Sequence, residues 1–336
     1  MDTAVSTTED TRQPCDAEAT ARAWAADGKE VPLQGTVVHT QAHRTVAVYC
    51  GVAACLSFGA MAAPDPAFAA IAITALSAVI DLNGGRGWLR GLRSRSAEHN
   101  VVTWPAQQHG PTLLITAPRN HQLTLSETPS WLLHIPLGLL GISGIGCAVS
   151  QRWPDVAQAT LMSTGICLTI LTLVAMAWRL FSRAPTDENP ARHAIEMAMG
   201  QLDRAELKHL RCAFALIGGE LGHHDGIEIL LRNYSHRLRP DSTRILILHP
   251  ETGPIGAVHH EGRVRPVRSD GLLLGAMRRL GLPGRTRTTA AMRARRAGWR
   301  AAAMTVGPDQ VHAAAGIVKK IAEDLDADLA ARGYPA

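Results

Sequence analysis

Groups that can move protons stand directly after several apolar runs of this 336-residue chain. The run Phe214–Ile217 is followed by two glycines and then by Glu220, His223, His224 and Asp225. A second run is followed by Arg119, Asn120 and His121, and a third ends on His249 with Glu251 close behind. Histidine titrates near pH 6.5 and a buried glutamate can exchange protons with it, so these residue types predict acid–base chemistry.

Six of the polar residues are predicted to be catalytic: Arg119, Asn120, Asp187, Glu220, His223 and His249. Glu220 would transfer protons together with His249 or His223. Arg119 or Asn120 would polarise a carbonyl group and stabilise the oxyanion that forms on it. Four others are predicted to bind substrate: His121, His224, Asp225 and Glu251. This chemistry needs no metal and no other cofactor.

Ordinary structural roles stay open for the same residues. Glu220 could simply cap the helix that follows it. His249 could be a hydrogen-bonded histidine of the core, and His223 and His224 could be a solvated pair in a loop. The residue types alone do not choose between these roles and catalysis.

The elements that would position these residues alternate between strands and helices. The predicted strands are Val31–His39, Asn100–Trp104, Thr112–Ala117, Arg211–Ile217, Arg244–His249 and Arg300–Val306. The predicted helices are Pro190–Gly200, Ile227–Leu238, Ser269–Leu280 and Pro308–Arg332. Such alternation is typical of an α/β fold with a largely parallel sheet flanked by helices, whose site lies at the carboxyl ends of the strands.

Four long apolar segments interrupt this pattern: Thr45–Ala63, Ala67–Leu82, Trp131–Val149 and Ala157–Phe181. Three have the length of a membrane-spanning helix, and the turn Pro64-Asp65-Pro66 pairs the shorter second segment with the first. None shows a polar face at helical spacing, as a helix on the surface of a soluble domain would. We therefore predict four transmembrane helices in two hairpins, the alternative being buried helices of a large soluble protein.

The predicted division of the chain follows from these segments. Residues 1–43 form a polar segment and the first strand, 44–82 the first hairpin, 83–130 part of the α/β domain, 131–181 the second hairpin, and 182–336 the rest of the domain. Arginines follow the second and fourth apolar segments, whereas the turns within the hairpins are poor in bases. The positive-inside rule then predicts a multi-pass protein of the cell membrane whose α/β domain lies on the cytoplasmic side.

Charge and cysteine content limit the classes of partner. The net charge of +5 and pI of about 9.1 reflect arginines beside the membrane and in the run Arg285–Arg300. Such arginines meet anionic lipid head groups, and aromatic residues for base stacking make up only 4 %, so nucleic acid is not expected as a partner. Four of the six cysteines fall within the apolar segments, and nothing suggests a disulfide framework.

The order of the soluble pieces resembles the M28 family of zinc aminopeptidases. The passages that carry the resemblance are Asn100–Ala106 with Gly110–Ala117, His193–Ala198, Phe214–Gly226 and the closing helix after Val311-His312. Their shared order covers nearly all of the sequence outside the apolar segments. The resemblance implies a peptidase-like α/β fold with a groove that binds peptides.

The metal ligands implied by this resemblance do not carry over. Pro118 falls on the family's histidine and Pro250 on its later aspartate, while Gly219 falls on its general base. The final histidine falls within Thr288-Thr289-Ala290, and only Asp187 and Glu220 keep an acid at a matching position. Since a two-metal hydrolase needs a cluster of histidines and carboxylates, a degenerate peptidase domain is expected.

Three functions are consistent with these features. By layout the chain resembles the membrane proteins of linaridin-type ribosomal peptide clusters, which implies cofactor-independent L-to-D epimerisation of residues in a precursor peptide. The second is a non-catalytic pseudopeptidase that binds peptide or assembles a membrane complex, and the third is a zinc aminopeptidase. The expected partners are a precursor peptide, the lipid bilayer and a second membrane subunit that could supply missing groups.

Overall fold

The computed structural model describes residues 12–25, 33–39, 42–82, 95–104, 110–119, 130–181, 189–218, 225–261, 266–287 and 289–334. The helices are α1 Arg12–Ala25, α2 Ala42–Ala60, α3 Pro64–Leu82, α4 Ser130–Val149, α5 Pro154–Phe181, α6 Pro190–Leu202, α7 Asp225–Asn233, α8 Gly271–Arg279, α9 Ala290–Arg296 and α10 Val311–Ala331. The strands are β1 Leu33–His39, β2 Arg95–Thr103, β3 Thr112–Pro118, β4 Arg211–Ile217, β5 Thr243–Pro250, β6 Gly256–Glu261, β7 Val267–Arg268, β8 Gly284–Arg287 and β9 Arg300–Val306.

All nine of these strands join one sheet in the order β1-β2-β4-β3-β5-β9-β6-β7, with β8 paired to β6. The four central strands, β4, β3, β5 and β9, run parallel. Strand β2 is antiparallel to β4, and β6 is antiparallel to β9, so the direction changes on both sides of the centre. The predicted α/β class with a largely parallel centre is confirmed.

The central strands are buried on both faces, which explains their unbroken apolar runs. Side chains alternate along each strand, so Leu246 and Leu248 of β5 face one core while Ile245 and Ile247 face the other. The first core also contains residues of α1, α6, α8 and α10, and the second contains residues of α7 and α9. Helices therefore cover both faces of the sheet.

Several elements were not predicted from the sequence. Strands β6, β7 and β8 are short. The sequence of β8, Gly-Arg-Thr-Arg, has no apolar residue that would indicate a strand. Helix α9 spans only seven residues, and α1 lies in the segment predicted to be merely polar. The predicted helix at Ile227–Leu238 is shorter than expected, because α7 ends at Asn233. In the short elements the apolar period is too brief to be seen. Helix α1 has 14 residues, but its buried apolar face consists largely of alanines, which give a weak signal.

Helices α2 to α5 coincide with the four apolar segments and pack together as a bundle. Polar side chains lie inside it: Ser143 Oγ is 2.8 Å from Ser57 Oγ and donates to Thr164 Oγ1 at 3.0 Å, and all three residues are buried. A second buried pair joins Tyr49 to Ser77 at 2.9 Å. Hydroxyl groups therefore link α2 to α4 and α3, and α4 to α5.

Large apolar side chains lie on the outside of the same bundle. Leu76 is 61 % exposed, Ile145 63 % and Leu173 62 %. Within the described part of the chain, every exposed large hydrophobic residue except Tyr334 belongs to these four helices or the turns between them. An exposed apolar surface of this extent marks contact with another apolar phase or partner.

By length and composition, one helix among the described residues could cross a membrane, at Pro154–Ala177. The apolar stretches Val46–Ala60, Pro64–Ile80 and His134–Val149 are shorter. A single long apolar helix also occurs in the core of soluble proteins. The four transmembrane helices therefore remain a prediction.

Candidate functional site

The candidate residues that the structure describes lie at one end of the sheet, here called the carboxyl edge, where β3, β4, β5 and β9 finish. Arg119 directly follows β3, and its backbone N–H donates to the Ile217 carbonyl of β4 at 2.9 Å. His249 is the penultimate residue of β5 and is paired with Thr305 of β9. Because β3 and β5 are parallel neighbours, the structure brings the backbones of Arg119 and His249 to adjacent strand ends.

Arg119 is buried to an unusual degree for an arginine, with only 2 % of its surface exposed. Burying a guanidinium is costly unless the charge finds hydrogen-bonding partners. At the end of a parallel strand this charge lies where α/β folds bind their ligands. The location agrees with the predicted role of Arg119 as an oxyanion stabiliser and does not by itself test it.

His249 is also buried, at 5 % exposure. Alternation along β5 places it on the same face as Ile245 and Ile247, beneath α7 and α9. Two buried threonines lie on the same face close by, Thr305 directly beside it in β9 and Thr116 in β3, which pairs with Ile247. The carboxyl edge thus has a polar patch on an otherwise apolar face.

Glu251 is held by two arginines of β8. Its carboxylate forms an ion pair with Arg285, at 3.1 Å between Oε2 and Nη1, and accepts a hydrogen bond from Arg287. Arg285 also donates to the Pro254 carbonyl at 2.7 Å. These contacts fix the connection between β5 and β6 beside the site. A positively charged substrate group could bind Glu251 only by displacing one of these guanidiniums. The contacts therefore support a role for Glu251 in positioning the β5–β6 connection.

Asn100 of β2 joins the two ends of the segment that carries Glu220, His223 and His224. Its side-chain oxygen accepts the N–H of Gly218 at 2.9 Å, and its amide nitrogen donates to the Gly226 carbonyl at 3.2 Å. The side chain is completely buried. One asparagine therefore holds together the two described residues, Gly218 and Gly226, that flank this segment.

Replacing Asn100 by Ala is expected to lower the free energy of unfolding by about 1–3 kcal/mol, because it leaves buried backbone groups of Gly218 and Gly226 without these partners. Asn233→Ala is the matched control, since this asparagine is exposed and should change stability by less than about 0.5 kcal/mol. Thermal melting of the detergent-solubilised variants measures both. Equal melting temperatures for the two variants would show that Asn100 does not hold the loop.

Asn189 performs a similar function where the chain returns from α5. Its side-chain oxygen caps α6 by accepting from the N–H groups of Ala191 and Arg192 at 3.1 and 3.3 Å. Its amide nitrogen donates to the Pro118 carbonyl at the end of β3. The residue thereby ties together the two points at which the α4–α5 hairpin leaves and rejoins the domain.

Six of the predicted site residues lie outside the described residues: Asn120, His121, Asp187, Glu220, His223 and His224. Asp225, predicted in a loop, is the first residue of α7. In the sequence, each of these six residues lies close to a described strand end or helix start at the carboxyl edge. Their catalytic and substrate-binding roles stay predictions. Asn100 and Arg285 were not predicted, because a lone strand asparagine and an arginine within a basic run give no sequence signal.

Thiol chemistry is disfavoured at Cys212 of β4. Burial, together with the smaller effect of the nearby carboxylates of Asp326 and Asp203, raises the pKa of this thiol to about 12. The thiolate, which is the nucleophilic form, is therefore scarce at neutral pH. The residue also lies at the start of β4, at the opposite end of the strand from Arg119 and His249.

The donor set of the described carboxyl edge does not suit a dinuclear zinc site. Pro118 and Pro250 offer no side-chain ligand, and Glu251 is bound by two positively charged guanidiniums that oppose a divalent cation. Among the described residues, no group of three or more histidine, cysteine, aspartate or glutamate side chains could hold a metal ion.

Comparisons with known proteins leave the family open. The sequence matches no family model, and no curated protein is similar to it in sequence. By structure the chain is similar to a zinc aminopeptidase from Bacillus subtilis, with 10 % identity and a TM-score of 0.29 over 69 % of this chain and 52 % of that enzyme. The chain thus spans about half the length of the Bacillus protein.

It is also similar to the LapA aminopeptidase of Legionella pneumophila, with 8 % identity and a TM-score of 0.32 over 87 % of this chain and 74 % of that one. Both are aminopeptidases, the class that the sequence resembles. TM-scores this low carry no argument for a shared activity, and the function must be argued from the residues of this chain.

Proposed function

We propose that this protein is a membrane-bound enzyme that modifies a peptide by metal-independent acid–base chemistry, and specifically that it inverts L-residues of a ribosomal precursor peptide to D-residues. The observation that carries the proposal is the placement of a buried arginine and a buried histidine, Arg119 and His249, at adjacent ends of parallel strands. Arg119 would stabilise the oxyanion, and His249 would be one of the two proton-transferring groups that such a reaction requires.

The reaction is a proton exchange at the α-carbon of one residue. A base removes the α-proton, and the electron pair of the C–H bond moves into the adjacent carbonyl as an enolate. Arg119 or Asn120 stabilises the negative charge on the enolate oxygen. An acid on the opposite face of the α-carbon then donates a proton, so a new C–H bond forms with inverted configuration. Glu220 and a histidine, His249 or His223, are the proposed pair.

The α2–α5 bundle has polar groups inside and apolar side chains outside, which supports the membrane location. Hydroxyl groups of Ser57, Ser143 and Thr164 bond to one another inside it, while residues such as Ile145 and Leu173 are exposed outside. In water this arrangement would expose apolar surface, whereas in a bilayer the outer side chains meet lipid and the inner hydroxyls join the helices. We propose four membrane-spanning helices with the α/β domain in the cytoplasm.

The membrane location predicts the behaviour of the protein on extraction. The chain is expected to stay in the membrane pellet through high salt and alkaline carbonate and to be released only by detergent, because apolar contacts are insensitive to charge screening. Immunoblotting of the fractions measures this. Recovery of the folded chain in the carbonate supernatant would contradict the proposed membrane-spanning helices.

A pseudopeptidase that only binds peptide is the alternative favoured by the contacts of Glu251. Glu251, which follows Pro250, is ion-paired with Arg285 and Arg287, and these contacts suit a structural role better than a catalytic one. Single substitutions of Glu220, His223 and His249 by Ala discriminate between the two proposals. A scaffold should tolerate all three, whereas an epimerase should lose D-residue formation.

The third candidate, a zinc aminopeptidase, is tested by metal analysis of the purified protein together with an aminopeptidase assay. Bound zinc accompanied by activity that is lost on chelation would establish it and would refute the metal-independent mechanism. The epimerase itself is tested by co-expression with a precursor peptide and chiral analysis of the hydrolysed product.

A further inference from the structure

Both apolar hairpins are inserted at the carboxyl edge of the sheet. Helix α2 begins three residues after the last residue of β1, His39, and α3 leads back to Arg95, the first residue of β2. The α4–α5 hairpin leaves after Arg119 at the end of β3 and returns at Asn189, whose side chain bonds to Pro118. All four connections therefore emerge from the edge that carries the candidate site.

Strand directions establish this common edge. Strand β1 is antiparallel to β2, and β2 is antiparallel to β4, so β1 ends and β2 begins at the edge where β4 ends. Strand β3 is parallel to β4 and also ends there. Since the step from His39 to Ala42 spans at most about 11 Å, the bundle must start close to this edge.

The β1–β2 ribbon sets a distance between the bundle and the site. The last paired residues of this ribbon are His39 of β1 and Arg95 of β2. Arg95 lies six residues along β2 from Val101, which pairs with Leu216 of β4. Arg119 lies only two residues beyond Ala117, which pairs with the same Leu216. At about 3.3 Å per residue the ribbon projects roughly 13 Å past Arg119, before any loss from twist.

A separation of this size would accommodate a peptide. An extended or helical peptide with its side chains is about 10 Å thick, close to the spacing of two packed sheets. The edge also offers positive charge, since Arg285 and Arg287 share the single carboxylate of Glu251 beside it.

We infer that the carboxyl edge faces the cytoplasmic surface of the bilayer and receives its substrate as an amphipathic peptide adsorbed on that surface. The inference rests on the proposed membrane location and peptide substrate. It explains why both hairpins flank the strand ends instead of leaving from loops elsewhere. Adsorption would concentrate the peptide in the layer that the site borders and would place its polar face toward the domain.

The two ends of β5 offer a matched test of orientation. Thr252 lies at the carboxyl edge and Asp241 just before the start of the strand, and both are exposed. A fluorescent noncanonical amino acid replaces one or the other, and the protein is reconstituted in phosphatidylglycerol vesicles that contain an acceptor dye on the head group. Energy transfer should be markedly higher from position 252. Equal transfer, or higher transfer from position 241, would overturn the orientation.

Capture of a peptide tests the occupant. A photo-crosslinking amino acid replaces Thr252, and two synthetic peptides of one composition are offered with the same vesicles, one patterned as an amphipathic helix and one scrambled so that it does not adsorb. The amphipathic peptide should be crosslinked in severalfold higher yield. Equal yields would refute delivery by the membrane, and crosslinking of lipid alone would identify a lipid as the occupant instead.

Failure of the proposed epimerisation would give a different set of results from failure of the bilayer-facing orientation. In that case no D-residues form in a co-expressed peptide, while energy transfer and peptide capture still follow the expected pattern. An inverted energy-transfer result with D-residues present would instead refute only the bilayer-facing orientation.

Discussion

His249→Ala is expected to reduce the rate of D-residue formation by about 10²–10⁴-fold, the usual contribution of a positioned acid or base. The buried location of the ring at the end of β5 is the reason, because a proton carrier works best where its geometry is fixed and water is excluded. Chiral analysis of the peptide after co-expression measures the change, with protein levels compared by immunoblotting.

The matched control is His236→Ala. This histidine is exposed and lies between α7 and β5, before the start of the strand that has His249 near its end. Its removal should leave D-residue formation within about twofold, since surface substitutions rarely change stability by more than about 0.5 kcal/mol. If His249→Ala is folded and as active as His236→Ala, His249 is a core histidine and not the proton carrier.

Gly226→Ala is expected to be among the most damaging single substitutions outside the catalytic candidates. A Cβ at this position would overlap the Gly218 carbonyl oxygen and the Ile217 side chain, and backbone cannot move aside cheaply. Overpacking of this kind costs about 1–3 kcal/mol or more, and here it would also separate the loop ends that Asn100 joins. Thermal melting and D-residue formation should both fall.

Gly200→Ala provides the control for this substitution. Gly200 is exposed in α6, and no atom would meet an added Cβ within 4 Å. Alanine should stabilise the helix by up to about 1 kcal/mol, because it loses less backbone entropy on folding than glycine. A melting temperature for Gly226→Ala as high as that of Gly200→Ala would mean that the loop root is not closely packed.

The sheet was largely predictable because its central strands are buried on both faces. Thr112–Ala117, Arg211–Ile217 and Arg300–Val306 are continuous apolar runs bounded by glycine, proline or charge, and the observed strands β3, β4 and β9 differ from them by at most one residue. The side strands β6 to β8 were not predicted, since strands of only two to six residues have no distinct period.

The candidate site was predictable only as a set of strand-end positions. The parallel sheet confirms that Arg119 and His249 end adjacent strands, which follows from the apolar runs that precede them. The ion pairs of Glu251 could not be foreseen, because Arg285 and Arg287 approach from a strand that was not predicted. Sequence order likewise could not reveal that Asn100 closes a loop more than a hundred residues further along the chain.

Co-expression with a candidate ribosomal precursor peptide tests the central claim most directly. The peptide is recovered from cells with and without the enzyme, hydrolysed in deuterated acid and resolved on a chiral column, so that D-residues formed during hydrolysis carry deuterium and are discounted. The proposed mechanism predicts unlabelled D-residues only when the intact enzyme is present, and their loss in the His249→Ala variant. A peptide with only L-residues in the presence of folded, membrane-bound enzyme would contradict it.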